Sequence, residues 1–232
     1  MRLLLVLVMA ITMASCDNYF YDEIKAQSLP LELLALLANS KPVIPQTPPP
    51  EGKTTSTSTV FTGTYDGKDT DEAVSILHLS DGGYLAAGNT RSSGAGGFDI
   101  ILLKLDQFGN IEWQKTLGGS QDDKVRVIKK TSDNGYIIIG DTFSFGKGDS
   151  DIWVVKLNNA YNIEWEKAFG GTSTETASGI VESSDGSFFV AGNTKSYGKG
   201  NYDFWLLKLD ALGSLEWEKT FGNERNDIAE GI

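Results

Sequence analysis

Residues able to do chemistry occur in this chain as recurring sets rather than as one constellation. His78 and Cys16 are each the sole residue of their type, which leaves no Cys/His zinc set; Cys16 falls in the leader segment, which removes a Cys-His pair, and a Ser-His-Asp triad would have to rest on His78 alone. His78 is matched by Lys130 and Glu182 at corresponding later positions, the behaviour of a strand-surface residue. Asp71, Asp123, Glu175 and Asp227 recur, and the run DGKDTDE from Asp66 to Glu72 adds oxygen ligands of the kind calcium takes. The glycine and terminal glutamate of an EF-hand loop are absent, so a solvated, turn-capping role is expected. The loops SSGAGGFD, SFGKGDSD and SYGKGNYD are rich enough in glycine to suggest a phosphate cradle. Such a cradle needs a helix N-terminus behind it, and here a strand pattern follows. A catalytic group is needed once and a structural one in every repeat. The expectation is therefore a protein without catalytic residues, metal ligands or cofactor.

The elements that carry these residues follow from a single period. Trp113, Trp165 and Trp217 are spaced by 52 residues, and the same spacing relates Gly88, Gly140 and Gly192. It also relates Asp99, Asp151 and Asp203, then Lys104, Lys156 and Lys208, then Gly118, Gly170 and Gly222. A fixed period of this size without heptads means stacked or radially arranged supersecondary units. In the second unit KVRVIKKT and YIIIGDT flank the turn signal Asp133-Asn134-Gly135, which predicts a hairpin. A loop then leads to the continuous apolar run DIWVVKLN, suited to a strand buried on both faces, and a short turn leads to IEWEKAFGG.

Four antiparallel strands per unit predict one blade of a β-propeller. A parallel β-helix has shorter coils and no use for hairpin turns such as those at Asp81-Gly82 and Asp185-Gly186. The fold class expected is all-β: a β-propeller-like array of four-stranded antiparallel blades, about three in number, forming an incomplete ring. Val60 to Gly67 reads as the last strand of a preceding blade, because Phe61 falls in the tryptophan column, and Asp227 to Ile232 begins another first strand. Propellers close with about four to eight blades, so the repeats favour part of a longer propeller over a ring closed by a second copy or a capped open array. Within a blade, pairing Asp106 with Ile111 places Lys104 opposite Trp113, which predicts a lysine stacked on a tryptophan in each blade.

The stretch from Asp151 to Ser196 resembles the bacterial β-propeller repeat often called SBBP, whose units read roughly D-x-x-v-x-K-l-D-x-x-G-x-x-x-W, then G-G, D-G and G-x-T. The resemblance covers about Phe61 to Ile232 and implies an extracytoplasmic propeller of interaction or unknown role, with no catalytic residues to carry over. The family's turn glycine corresponds to Gly109 and Gly213, but Tyr161 stands there in the second unit, which predicts a different backbone conformation for that turn. Two enzyme families fit less well. Sialidase propellers carry Ser-x-Asp-x-Gly turns and an arginine cluster, whereas Ser80-Asp81 and Ser132-Asp133 are spaced differently and Arg91, Arg126 and Arg225 cannot gather within one blade set. Quinone-dependent dehydrogenase propellers have a similar turn, but Asp106 to Gly109 is one residue shorter.

Ahead of the repeats lie two other segments. Residues 1–15 place Arg2 before an apolar run too short to span a bilayer, the pattern of a signal peptide. Ala14, Ser15 and Cys16 resemble the lipobox of bacterial lipoproteins, with Met13 where leucine is commoner, which implies cleavage before Cys16 and its lipidation. At about 0.8 kcal/mol per buried CH₂, two or three acyl chains anchor a protein stably. Residues 16–58 read as a tether: Ser28 to Ser40 is compatible with a short helix, and Lys41 to Thr59 is an extended Pro/Thr/Ser linker. Residues 59–232 form the repeat domain.

With 31 acidic against 20 basic residues and a formal net charge of -11, the surface repels phosphate backbones, so no nucleic-acid partner is expected. The reading is a membrane-anchored lipoprotein of the cell envelope, at the outer membrane or cell surface rather than the inner membrane, acting as a binding or scaffold module. Alternatives are part of a propeller enzyme whose site lies in further blades, or a degenerate remnant. Propeller ligands usually meet loops at one face. The expected contact surface for a protein or glycan is therefore Arg91 to Gly97, Phe143 to Ser150 and Lys195 to Tyr202, with Arg91, Phe143, Lys147, Lys195, Tyr197 and Tyr202 as its contact residues. Open blade edges would favour self-association.

Overall fold

The computed structural model describes residues 7–8, 62–63, 65 and 67–229. Cys16, the rest of the expected signal peptide, the segment expected as a tether with a short helix, and Phe61 lie outside the described residues. Two short strands come first, β1 (Leu7–Val8) and β2 (Thr62–Gly63), paired antiparallel in a sheet of their own; β2 falls within Val60 to Gly67 but pairs with β1 and not in a four-stranded blade.

Twelve further strands form three four-stranded antiparallel sheets, each in simple sequence order. Blade I holds β3 (Asp71–His78), β4 (Tyr84–Thr90), β5 (Asp99–Leu105) and β6 (Ile111–Leu117). Blade II holds β7 (Asp123–Lys130), β8 (Tyr136–Thr142), β9 (Asp151–Leu157) and β10 (Ile163–Phe169). Blade III holds β11 (Glu175–Glu182), β12 (Phe188–Thr194), β13 (Asp203–Leu209) and β14 (Leu215–Phe221). The repeat period is thus one blade, and the array is β-propeller-like and open. The hairpin turns form where Asp81-Gly82, Asp133-Asn134 and Asp185-Gly186 stand. Gly82, Asn134 and Gly186 all take positive φ, and the preceding aspartate accepts the N–H of the residue two further on.

Each blade carries two β-bulges at equivalent places. One lies in the first strand, leaving Val74, Arg126 or Ser178 as the extra residue; the other lies in the fourth, leaving Glu112, Glu164 or Glu216. The first bulge presses backbone onto the second strand, which explains its glycine: a Cβ at Gly192 would lie 2.5 Å from the Thr176 carbonyl, and Gly88 and Gly140 are equally confined.

Blades dock face to face through apolar layers. Leu85, Ile100 and Leu102 of blade I meet Ile138, Trp153 and Val155 of blade II. One period on, Ile137, Ile139, Ile152 and Val154 meet Val190, Trp205 and Leu207 of blade III. Strand β9 is buried at every position because a blade covers each of its faces, while β13 alternates buried and half-buried. Each junction also has a polar latch. Asn89 Oδ1 accepts the Val125 N–H at 2.8 Å, Asp141 Oδ1 the Ala177 N–H at 2.7 Å, and Asn193 Oδ1 the Ala229 N–H at 2.6 Å. The third latch holds residues 227–229, the start of the further first strand expected there; they follow the register of that strand without being one.

Candidate functional site

The loops joining second to third strands share one rim of the array, at equivalent places in the three blades, and each is fixed in the same way. Thr90, Thr142 and Thr194 turn the chain as it leaves the sheet, their Oγ1 atoms accepting the N–H of Ser92, Ser144 and Ser196 at 3.0 to 3.1 Å. Asp99, Asp151 and Asp203 close the other end by accepting the N–H of Ala95, Lys147 and Lys199. Gly94, Gly146 and Gly198 take positive φ directly beside those carboxylates. The glycines therefore serve the loop's own aspartate.

Each loop is also tied to the next blade. Phe98, Ser150 and Tyr202 carbonyls accept the N–H of Asp123, Glu175 and Asp227. The recurring acids complete the tie. Asp123 Oδ2 accepts from Gly119 N–H at 2.7 Å and Ser144 Oγ at 2.6 Å, and Glu175 Oε2 accepts from Gly171 N–H at 2.7 Å. Asp123 and Glu175 are fully buried. The expected turn-capping role holds, but solvation does not: the first strand's docking against the previous blade carries these acids inside. Among the described residues no three His, Cys, Asp or Glu side chains gather as a metal site would require.

On this fixed frame the expected contact residues divide. Phe143, Lys147 and Tyr197 are exposed. The Arg91 guanidinium lies 4.2 Å from the Phe98 ring centre and 3.9 Å from Asp122, with Lys124 at 4.1 Å from the same ring. Lys195 Nζ lies 4.4 Å from the ring of Tyr202, which is half-buried. Arg91 and Lys195 thus occupy one column of the repeat and both cover an aromatic ring; Phe143 stands in that column in blade II, where Ser150 replaces the ring. Tyr197 packs on Trp205 at 5.3 Å, as Phe145 packs on Trp153 at 5.2 Å. Phe98, Lys124 and Phe145 belong to the rim as well. Column equivalence with Tyr202 and Tyr197 is the signal that could have found the two phenylalanines.

The opposite end carries the lysines, and here an expectation is corrected. The register does set Lys104 opposite Trp113, Lys156 opposite Trp165 and Lys208 opposite Trp217. Pairing, however, runs Leu105 with Ile111, and the bulge at Glu112 restores the lysine register. The ammonium groups turn to carboxylates instead of indoles. Lys104 Nζ is 2.9 Å from Asp81 and 3.2 Å from Glu112; Lys156 Nζ is 2.7 Å from Asp133 and 3.0 Å from Glu164. Burial opposes the charge of Lys156, but these hydrogen bonds outweigh it and hold its pKa above the ordinary lysine value. Asp133, despite some desolvation, is brought down to about 2 by hydrogen bonds from Lys156 and Thr131. A lysine so held stays protonated and is unsuited to nucleophilic or base chemistry.

A second correction concerns Tyr161. Its φ of 61° falls in the same left-handed region as Gly109 at 85° and Gly213 at 76°. The turn keeps its conformation, and the side chain packs edge-on to Trp113 at 4.8 Å and stacks on Tyr136 at 5.1 Å.

Among solved structures, one of a protein of unknown function from Bacteroides caccae is similar over 69% of this chain and 70% of its own, at 14% identity and a TM-score of 0.29. No protein-family model matches the chain, and no curated protein does.

Proposed function

We propose that this chain is a lipid-anchored, extracytoplasmic binding or scaffold module of the SBBP-like propeller type, held at the cell envelope through Cys16. Its contact surface is the loop rim of Arg91 to Gly97, Phe143 to Ser150 and Lys195 to Tyr202, and its ligand is a protein or glycan of the envelope. The observation that supports a binding role is the rim itself: exposed Phe143, Phe145 and Tyr197 stand on loops fixed at both ends and to the next blade. Exposed aromatic and cationic side chains on a rigid frame lose little entropy on contact. The lysine–carboxylate clusters at the opposite end are satisfied internally and support a structural role there.

Two experiments test the parts separately. Metabolic labelling with a radioactive fatty acid is expected to mark the wild-type chain and not Cys16→Ser; equal labelling of both contradicts the anchor. For the rim, a photo-crosslinker carried at position 147 on the full chain is expected to trap discrete envelope components. Phe143→Ala with Tyr197→Ala should abolish those products while the chain stays folded, with a modest drop in unfolding temperature because Tyr197 also packs on Trp205 and donates to the Gly170 carbonyl. Unchanged products in the double variant contradict the assignment of the rim.

A further inference from the structure

At the loop end of the junction between blades II and III, two carboxyl groups meet with no positive side chain bonded to either. Asp151, the first residue of β9, is 1% exposed; its Oδ2 accepts the Lys147 N–H, while its Oδ1 is buried without a hydrogen-bond partner. Glu175, the first residue of β11, is fully buried. Its Oε1 accepts from Thr194 Oγ1 at 2.8 Å and from the Ser196 N–H at 3.1 Å, and its Oε2 accepts from the Gly171 N–H at 2.7 Å. A Cβ at Gly170 would run into Asp151 Oδ1 and lie 2.6 Å from Glu175 Oε2, so both oxygens converge over the same glycine. The arrangement recurs: Asp99 Oδ1 and Asp123 Oδ2 converge over Gly118, and Asp203 Oδ1 is orphaned beside Gly222.

Two buried carboxylates facing each other, one with an empty acceptor, are costly, whereas a carboxylic acid beside a carboxylate has a proton to donate. We propose that a proton shared between Asp151 and Glu175 closes this junction and makes the hold of blade II on blade III sensitive to pH. The Asp151 O–H donates to Glu175 Oε2; when that proton leaves, like charges face each other in the junction and it loosens.

The titratable groups around the pair are Lys147 from the loop before β9, Glu175 from β11 and the Tyr197 phenol from the loop after β12. Burial first, then the charge of Glu175, pushes Asp151 up to about 6 against the opposing Lys147 N–H bond and charge. Since the folded value lies above the unfolded one, the folded state binds the extra proton. The stabilisation is present below the unfolded pKa and lost as pH rises through about 6. From this group alone, the unfolding constant rises up to about tenfold per pH unit across that window.

The test uses the full chain, with ¹³C NMR of aspartate side-chain carboxyl carbons and urea unfolding measured from about pH 4 to 8. Asp151 is expected to titrate near 6 in the wild type and lower in Glu175→Gln, where the facing charge is gone while the burial that contributes most to the rise remains. Asp151→Asn carries a permanent N–H donor toward Glu175 and should lack the wild-type loss of stability between about pH 4 and 6. An Asp151 midpoint near 4 in the wild type overturns the proposal, as does a midpoint unmoved by Glu175→Gln. If Asp151→Asn does not fold, the carboxyl titrations decide alone.

Discussion

Replacing Lys156 by methionine keeps the length of an aliphatic stem in a site where the side chain is 4% exposed, and removes the charge that three acceptors share. Those acceptors are Asp133 Oδ2 at 2.7 Å, Glu164 Oε2 at 3.0 Å and the Leu157 carbonyl at 3.2 Å. The two carboxylates are about half exposed and regain water when the lysine is gone, so each bond is worth about 0.2–1 kcal/mol, the exposed-pair range. The Leu157 carbonyl loses a buried donor, about 1 kcal/mol. Together the substitution should destabilise the protein by about 2 kcal/mol in urea unfolding at pH 7. Acid adds a second signature. Because Asp133 titrates at about 2 in the folded chain and higher in the unfolded one, its stabilisation is present above about 4 and lost as pH falls through about 2. That loss should shrink in Lys156→Met. A double-mutant cycle between Lys156→Met and Asp133→Asn should show positive coupling, and larger than that of a cycle between Lys156→Met and its cross-strand neighbour Trp165→Leu. Coupling to the tryptophan but not to the aspartate would refute the bulge-directed ion cluster and restore the stacked arrangement.

Two further substitutions probe backbone and packing. At Tyr161, alanine should destabilise by about 1 kcal/mol more than glycine, because both lose the contacts with Trp113 and Tyr136 while only alanine keeps the cost of left-handed φ; paired thermal melts of the two variants check the order. Gly170→Ala should cost about 1–3 kcal/mol by forcing its methyl group against Asp151 and Glu175, and clearly less in an Asp151→Ala background, as urea titrations of the four proteins would show.

The period, the four strands of each blade and the hairpin turns were legible because they depend on residue type at fixed offsets: glycine or asparagine where φ is positive, apolar runs where a strand is covered. The lysine–tryptophan register was legible too, but not the direction of the ammonium group. Pairing Asp106 with Ile111 without a bulge and pairing Leu105 with Ile111 with Glu112 bulged out both set Lys104 opposite Trp113, and only the second brings a carboxylate to the lysine. At Tyr161 the missing glycine points to a changed turn, whereas packing against Trp113 and Tyr136 offsets the cost of keeping the same one. Burial of Asp123 and Glu175 depends on how one blade meets the next, which no single repeat encodes locally. At the rim, loop equivalence was readable; the rings under Arg91 and Lys195 were not, because those contacts form only once the loops are folded back.

The repeats fold as blades docked by one recurring latch into a single array. Amide hydrogen exchange of Val125 and Ala177, followed by NMR, addresses this docking directly, since each N–H donates to a side chain of the preceding blade. Both amides should be protected well beyond loop amides, and Asn89→Ala should remove protection at Val125 while sparing Ala177. Exchange of both at unprotected rates in the wild type, with the sheet amides still protected, would mean that the blades fold but do not dock in this way.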